Sequence, residues 1–172
     1  HDLGGGLTEQ TGEFDDAGEQ GSGVSLQPLA CIDDPPERAW AAEWLGQILI
    51  REGVSLTPEV KSYLWSALNS LASSPVHERT LSGLVALLQS NALKQALAPY
   101  CLGGPYGRLL DADTERLGDA HVVVFETEGL IGSGAASSVL SYLFHRIEGR
   151  LDGRPTLLVI DEGWLVLDDG DF

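Results

Sequence analysis

A chain of 172 residues with 43% hydrophobic content has room for one domain, or one domain with an inserted subdomain, and buries too much to be wholly disordered. Its net charge of −16, with the ten Lys and Arg scattered rather than clustered, repels phosphate backbones, so no direct nucleic-acid binding is expected. No apolar run approaches the ~20 residues of a membrane span, which leaves peripheral docking on membrane components open. No targeting segment is recognisable, and the absence of Met reads as an excised or truncated piece of something longer.

Residues 1–23 hold seven Gly, six acidic residues and no Lys or Arg. That composition cannot offset its ordering entropy and reads as a mobile acidic loop. Residues 24–29 are a short strand candidate ending at a proline. A helical block follows. Asp34 is a candidate N-cap, Pro35 suits the first helical position and Glu37 falls at the capping-box position. Trp40, Trp44, Leu45, Ile48 and Leu49 recur at helical spacing, and Gly53 ends that helix. Thr57-Pro58-Glu59 opens a second helix, with Val60, Leu64, Leu68 and Leu71 on one face. Thr80 opens a third carrying Leu81, Leu84, Val85 and Leu88. A fourth spans 91–99 with Leu93, Ala96 and Leu97. Together they predict an all-helical subdomain over 35–100.

The pattern then changes. Gly103-Gly104-Pro105 marks a turn, and 106–111 reads as a short extended segment. Residues 120–125 form a β-branched run suited to a buried parallel strand. A Gly/Ser loop leads to a helix over 135–150, with Val139, Leu140, Leu143, Phe144 and Ile147 as its buried face. Asp152-Gly153-Arg154-Pro155 turns the chain into a second apolar strand over 156–160. Strand, helix and strand make a βαβ unit with parallel strands. The fold class is therefore α/β, with residues 24–34 and 101–172 as its core.

Cys31 and Cys101 fit no CxxC pattern, and His1, His77, His121 and His145 show no ligand spacing, so zinc is not expected and the thiols read as reduced. His77 and His145 carry no assigned role. Trp40, Trp44 and Trp65 read as core residues, and Trp164 as a packing anchor.

The segment Leu157-Leu158-Val159-Ile160-Asp161-Glu162 is an apolar strand ending in two carboxylates. Open α/β sheets bind ligands at the carboxyl ends of their strands. In P-loop ATPases the Asp of such a pair holds magnesium through its water shell, and the Glu polarises the attacking water. Asp161 and Glu162 are thus the candidate catalytic residues, with Asp161 toward metal. Glu126 and Glu128 follow the first strand toward the same edge. No GxxxxGK[ST] loop is present. The run Gly132-Ser133-Gly134-Ala135-Ala136-Ser137 sits between strand and helix but lacks the lysine, and reads as a helix-capping loop.

Three segments together resemble the TrbE-type ATPases of conjugative transfer and type IV secretion. The first is Leu26-Gln27-Pro28-Leu29 with Ile32-Asp33-Asp34-Pro35 and the run from Glu37 to Trp44. The second runs from Arg79 to Gln89 and on to Gly104-Pro105-Tyr106-Gly107-Arg108-Leu109-Leu110-Asp111. The third runs from Tyr142-Leu143-Phe144-His145-Arg146 to Asp161-Glu162-Gly163-Trp164-Leu165, with Gly163 where such proteins usually carry alanine. The resemblance implies a partial RecA-like P-loop NTPase sheet with a helical insertion. It further implies Walker B residues at Asp161 and Glu162, and ATP and Mg2+ as cofactors of the parent protein. Other secretion components and further copies of the chain are the implied partners, at the cytoplasmic face of the bacterial inner membrane. Because the Walker A loop is missing, the isolated chain is expected to be inactive. Two other readings stand beside this one: an interaction module built on the helical subdomain, and a truncated gene remnant whose incomplete sheet exposes an edge.

Overall fold

The computed structural model describes residues 8–11, 22–117, 122–126, 130 and 132–160. These form a mixed, mostly helical structure with a small sheet. Strands β1 (Thr8–Thr11) and β2 (Ser22–Gly23) precede helices α1 (Pro35–Arg51), α2 (Pro58–Leu71), α3 (Leu81–Leu87), α4 (Asn91–Leu97) and α5 (Gly107–Leu110). Strand β3 (Val123–Glu126) and helix α6 (Ala136–Glu148) follow.

The helical block matches its sequence signals closely. Thr57 accepts a hydrogen bond from the Val60 N–H, and Thr80 from Gly83 N–H, so both hydroxyls cap as expected. Gly53 adopts φ +78° just after α1, a left-handed conformation that suits glycine and stops the helix. The start of α1 differs. Asp34 makes no side-chain cap bond, and Glu37 turns instead to His145. The missing cap costs about 1 kcal/mol, whereas full burial of Leu45, Ile48 and Leu49 contributes roughly 2 kcal/mol each. Packing decides that helix.

Side chains of α1, α2, α3 and α4 share one apolar core with Val24, Leu26, Leu29 and Ile32 from the preceding segment. Tyr100, Leu110, Val139, Tyr142 and Leu143 join the same core. Trp44 is part of it and Trp40 packs against it, but Trp65, expected inside, is 42% exposed on the outer face of α2.

Several expectations for the rest of the chain are corrected. Segment 24–29 forms no strand: Ser25 makes a single bridge to Arg116, and the chain turns from Pro28 onward, where the ring removes a ladder donor. Segment 106–111 is not extended but contains the one-turn helix α5, because Gly104 and Gly107 let its backbone lie directly against residues 98–102. Some of the glycine-rich segment expected as loop pairs as β1 and β2, the remainder lying outside the described residues.

The expected parallel pair is absent among the described residues. β3 pairs antiparallel with β1, Thr8 opposite Glu126 and Thr11 opposite Val123, in a sheet ordered β2-β1-β3. Residues 156–160 are described but form no strand, and their side chains face solvent. Period and β-branching predict strand conformation, yet a buried parallel strand also needs neighbours and cover on both faces, and no described strand lies beside this run. Helix α6 is also rotated from its expected register. Ser138, Val139, Tyr142 and Leu143 are buried, while Leu140, Phe144 and Ile147 are only half-buried.

Candidate functional site

Asp161, Glu162, Glu128 and Trp164 lie outside the described residues, as does the side chain of Glu126 at the end of β3. The structure therefore speaks to the surroundings of the expected site rather than to the acidic pair.

The Gly132–Ser137 turn is the one place where the sequence offers an imitation of a phosphate loop, and its N–H groups are already engaged. Ser133 N–H donates to Leu130 O (2.9 Å) and Ala136 N–H to Ser133 O (3.2 Å). Gly134 N–H donates to the Tyr106 hydroxyl at 3.1 Å. A phosphate cradle needs such donors free and convergent, so this turn does not fit a nucleotide phosphate. Nor does a serine cap the helix: α6 begins at Ala135 without a side-chain cap bond, and Ser133 Oγ is buried without a partner.

What the turn does have is a grip from the far side of the molecule. The Tyr100 hydroxyl donates to Glu52 Oε1 at 3.0 Å and lies 3.3 Å from Gly134 O. A Cβ on Gly134 would stand 2.8 Å from the Tyr106 oxygen, so the close approach requires glycine there. Tyr100 and Tyr106 thus hold the carbonyl and the amide of one residue.

A second junction joins α1 to α6. Trp44 Nε1–H donates to Ser138 O at 2.8 Å. Trp40 stacks on His145 with ring centroids 3.9 Å apart and an 8° interplanar angle, and His145 Nε2 lies 3.0 Å from Glu37 Oε2. Sequence spacing assigns His145 no partner; it has two. Beside it, Tyr142 donates to Glu115 Oε2, and Arg146 Nε–H donates to Glu115 Oε1 at 3.0 Å. These groups line a cleft of about 230 Å³ together with Gln27 and Cys31. The cleft's acids and Arg146 are paired with one another, which gives it no marked preference for a charged ligand.

Two buried charges brace the loops around these junctions. Arg79 donates to Ser74 O (2.9 Å) and Ala30 O (2.9 Å) and pairs with Asp33. Asp111 accepts from Ser82 N–H at 2.9 Å, from the Ser82 hydroxyl and from Leu102 N–H. A lone arginine before Thr80-Leu81, and a lone aspartate after Leu109-Leu110, were the available signals for both. Much of the second matching segment is thus accounted for by backbone bracing.

Burial and the neighbouring Glu115 push the Tyr142 phenol well above its ordinary range, and burial with Glu52 does the same to Tyr100. Burial, helped by Asp111, pushes the Cys101 thiol up to about 11. Each group is neutral when protonated, so the folded chain keeps a proton that the unfolded chain releases. Stability is then complete below the unfolded values near 9 and 10 and falls as pH rises past them. We expect cooperative alkaline unfolding with tyrosinate absorbance rising in the same step, and a weaker pH dependence in Tyr142→Phe. Free titration of all four tyrosines with the far-UV signal intact would contradict this.

Among the described residues no cluster of His, Cys, Asp and Glu could hold a metal ion, and no helix is long and apolar enough to cross a membrane. No protein-family model matches the chain. Individual relatives do. By sequence the chain is related to proteins of conjugal transfer and type IV secretion. Within them it is TrbE-like, 37% identical over 97% of its length to the conjugal transfer protein TrbE of Rhizobium radiobacter. It is 38% identical over 88% of its length to a probable conjugal transfer protein TrbE of Sinorhizobium fredii. Identity to the type IV secretion system protein VirB4 of Bartonella quintana is lower, 27% over 90% of the chain. The chain spans only about a fifth of these relatives, 19% of the Rhizobium, 23% of the Sinorhizobium and 20% of the Bartonella protein.

Proposed function

We propose that this chain is a segment of a TrbE-type ATPase that drives conjugal transfer, carrying the Walker B residues but not the phosphate loop. The observation that carries the reading is the 37% identity sustained over 97% of the chain, which takes in all three matching segments. In this reading 24–34 and 101–172 belong to a RecA-like core and 35–100 is its helical insertion. Asp161 is assigned to Mg2+ and Glu162 to the attacking water of ATP hydrolysis. Partners are other secretion components and further copies of the protein, at the cytoplasmic face of the inner membrane, with no direct hold on DNA.

Catalysis of phosphoryl transfer is largely electrostatic positioning. With the Gly132–Ser137 turn engaged as described and no lysine loop, the purified chain should release no phosphate from ATP above background. In the cell, Glu162→Gln in the encoded protein should lower plasmid transfer by about a hundredfold or more. A magnesium-dependent rate in the purified chain, abolished by Glu162→Gln, would refute the expected inactivity. Unchanged transfer with Glu162→Gln would identify a remnant instead of a motor.

A further inference from the structure

One surface stands apart from the packing described so far. Leu157, Leu158, Val159 and Ile160 are 87%, 52%, 77% and 52% exposed, four consecutive large apolar side chains in extended chain. In the same molecule β3 is the end strand of the sheet, so its outer edge is unpaired among the described residues, with Val122 and Val124 exposed beside it. Unpaired edges and uncharged β-branched runs are complementary, and they pair unless charge or cover prevents it. Here neither does: residues 156–160 carry no charge, and the flanking Asp152 and Arg154 neutralise each other at 2.8 Å.

We propose that two copies of this chain exchange residues 156–160, each copy laying that run along the outer edge of the other's β3. Within one copy the run points into solvent while the edge stands open, and each copy offers one strand and one edge. A two-fold exchange uses both and leaves neither over, which is the low-cost route by which identical chains dimerise. The four-residue β3 matches the four apolar residues in length. The half-buried stripe of Leu140, Phe144 and Ile147 on α6 offers apolar cover nearby. Gly153, at φ +90°, supplies the turn from which the run departs. The net charge of −16 per copy opposes the approach, so added salt should strengthen the dimer.

The proposal goes beyond the ATPase reading and does not depend on nucleotide. Sedimentation velocity of the full chain over a wide concentration range should show a monomer–dimer equilibrium that tightens with salt. Amide exchange should be slow over 156–160 only in the dimer. Val159→Lys, at a side chain outside the core, should raise the dimer Kd at least about tenfold. Leu102→Lys, at a residue 76% exposed elsewhere, should leave it unchanged. A dimer indifferent to Val159→Lys would overturn the proposal, and so would open-ended oligomers. A monomer at every concentration would also overturn it; protected 156–160 amides would then mean closure on the chain's own sheet, and unprotected ones no pairing.

Discussion

Gly107→Ala is expected to destabilise the protein by about 3 kcal/mol or more, the largest effect of any single methyl in the molecule. A Cβ at Gly107 would lie 2.0 Å from Cys101 O and 2.4 Å from Cys101 C. Both are backbone atoms that cannot swing away like the tip of a side chain. Relief would require moving residues 98–102, whose turn is fastened by Gly104 N–H to Cys101 O at 2.8 Å and Tyr106 N–H to Pro99 O at 3.0 Å. It would also drag on Asp111, which holds Leu102 and Ser82. Gly103→Ala is the control. Gly103 sits at φ +93° and an added methyl there would meet nothing within 4 Å, so only the backbone conformation opposes the change, at roughly 1–2 kcal/mol. Thermal unfolding of both variants checks the ranking; equal losses would mean that steric contact at Gly107 is not the cause.

Trp44→Ala should cost about 3–5 kcal/mol and should loosen α6 more than α2. Trp44 is buried in the core and is the α1 residue whose ring nitrogen reaches Ser138 O. Removing it opens a cavity and strips a buried carbonyl of its donor. Trp44→Phe keeps most of the apolar volume and loses the hydrogen bond, so its cost should be nearer the ~1–3 kcal/mol of an unsatisfied buried acceptor. Denaturant unfolding gives the two magnitudes. Amide exchange locates them, and unchanged exchange in α6 of Trp44→Ala would show that the α1–α6 junction rests on other contacts.

Local chemistry was the legible side of this fold. Thr57 and Thr80 cap where their spacing says they should, and Gly53 ends α1, because each signal acts within one turn of chain. Partnership was not legible. Nothing near His145 announces Glu37, 108 positions away, or the face of Trp40. The rotation of α6, which buries Ser138 and leaves Phe144 half-covered, follows from that distant contact with α1. Likewise the alternation and β-branching of 156–160 indicate extended chain but not a neighbour to pair with, and β3 took β1 instead. Glycines 104 and 107 read as turn residues; the close backbone approach that they permit made a helical turn of the segment expected to be extended. The acidic pair Asp161–Glu162 was legible as a motif and through resemblance, and it is the similarity to TrbE proteins that supports that reading.

The two tyrosines on Gly134 have a mechanical consequence. With its amide held by one phenol and its carbonyl approached by another, Gly134 is a rivet between the end of the helical block and the entry to α6. Glu52, bonded to the same Tyr100 hydroxyl, extends that connection to the end of α1. Force applied to the helical block therefore reaches the β3–α6 connection at a single residue, and the two regions shift as one lever instead of sliding past each other.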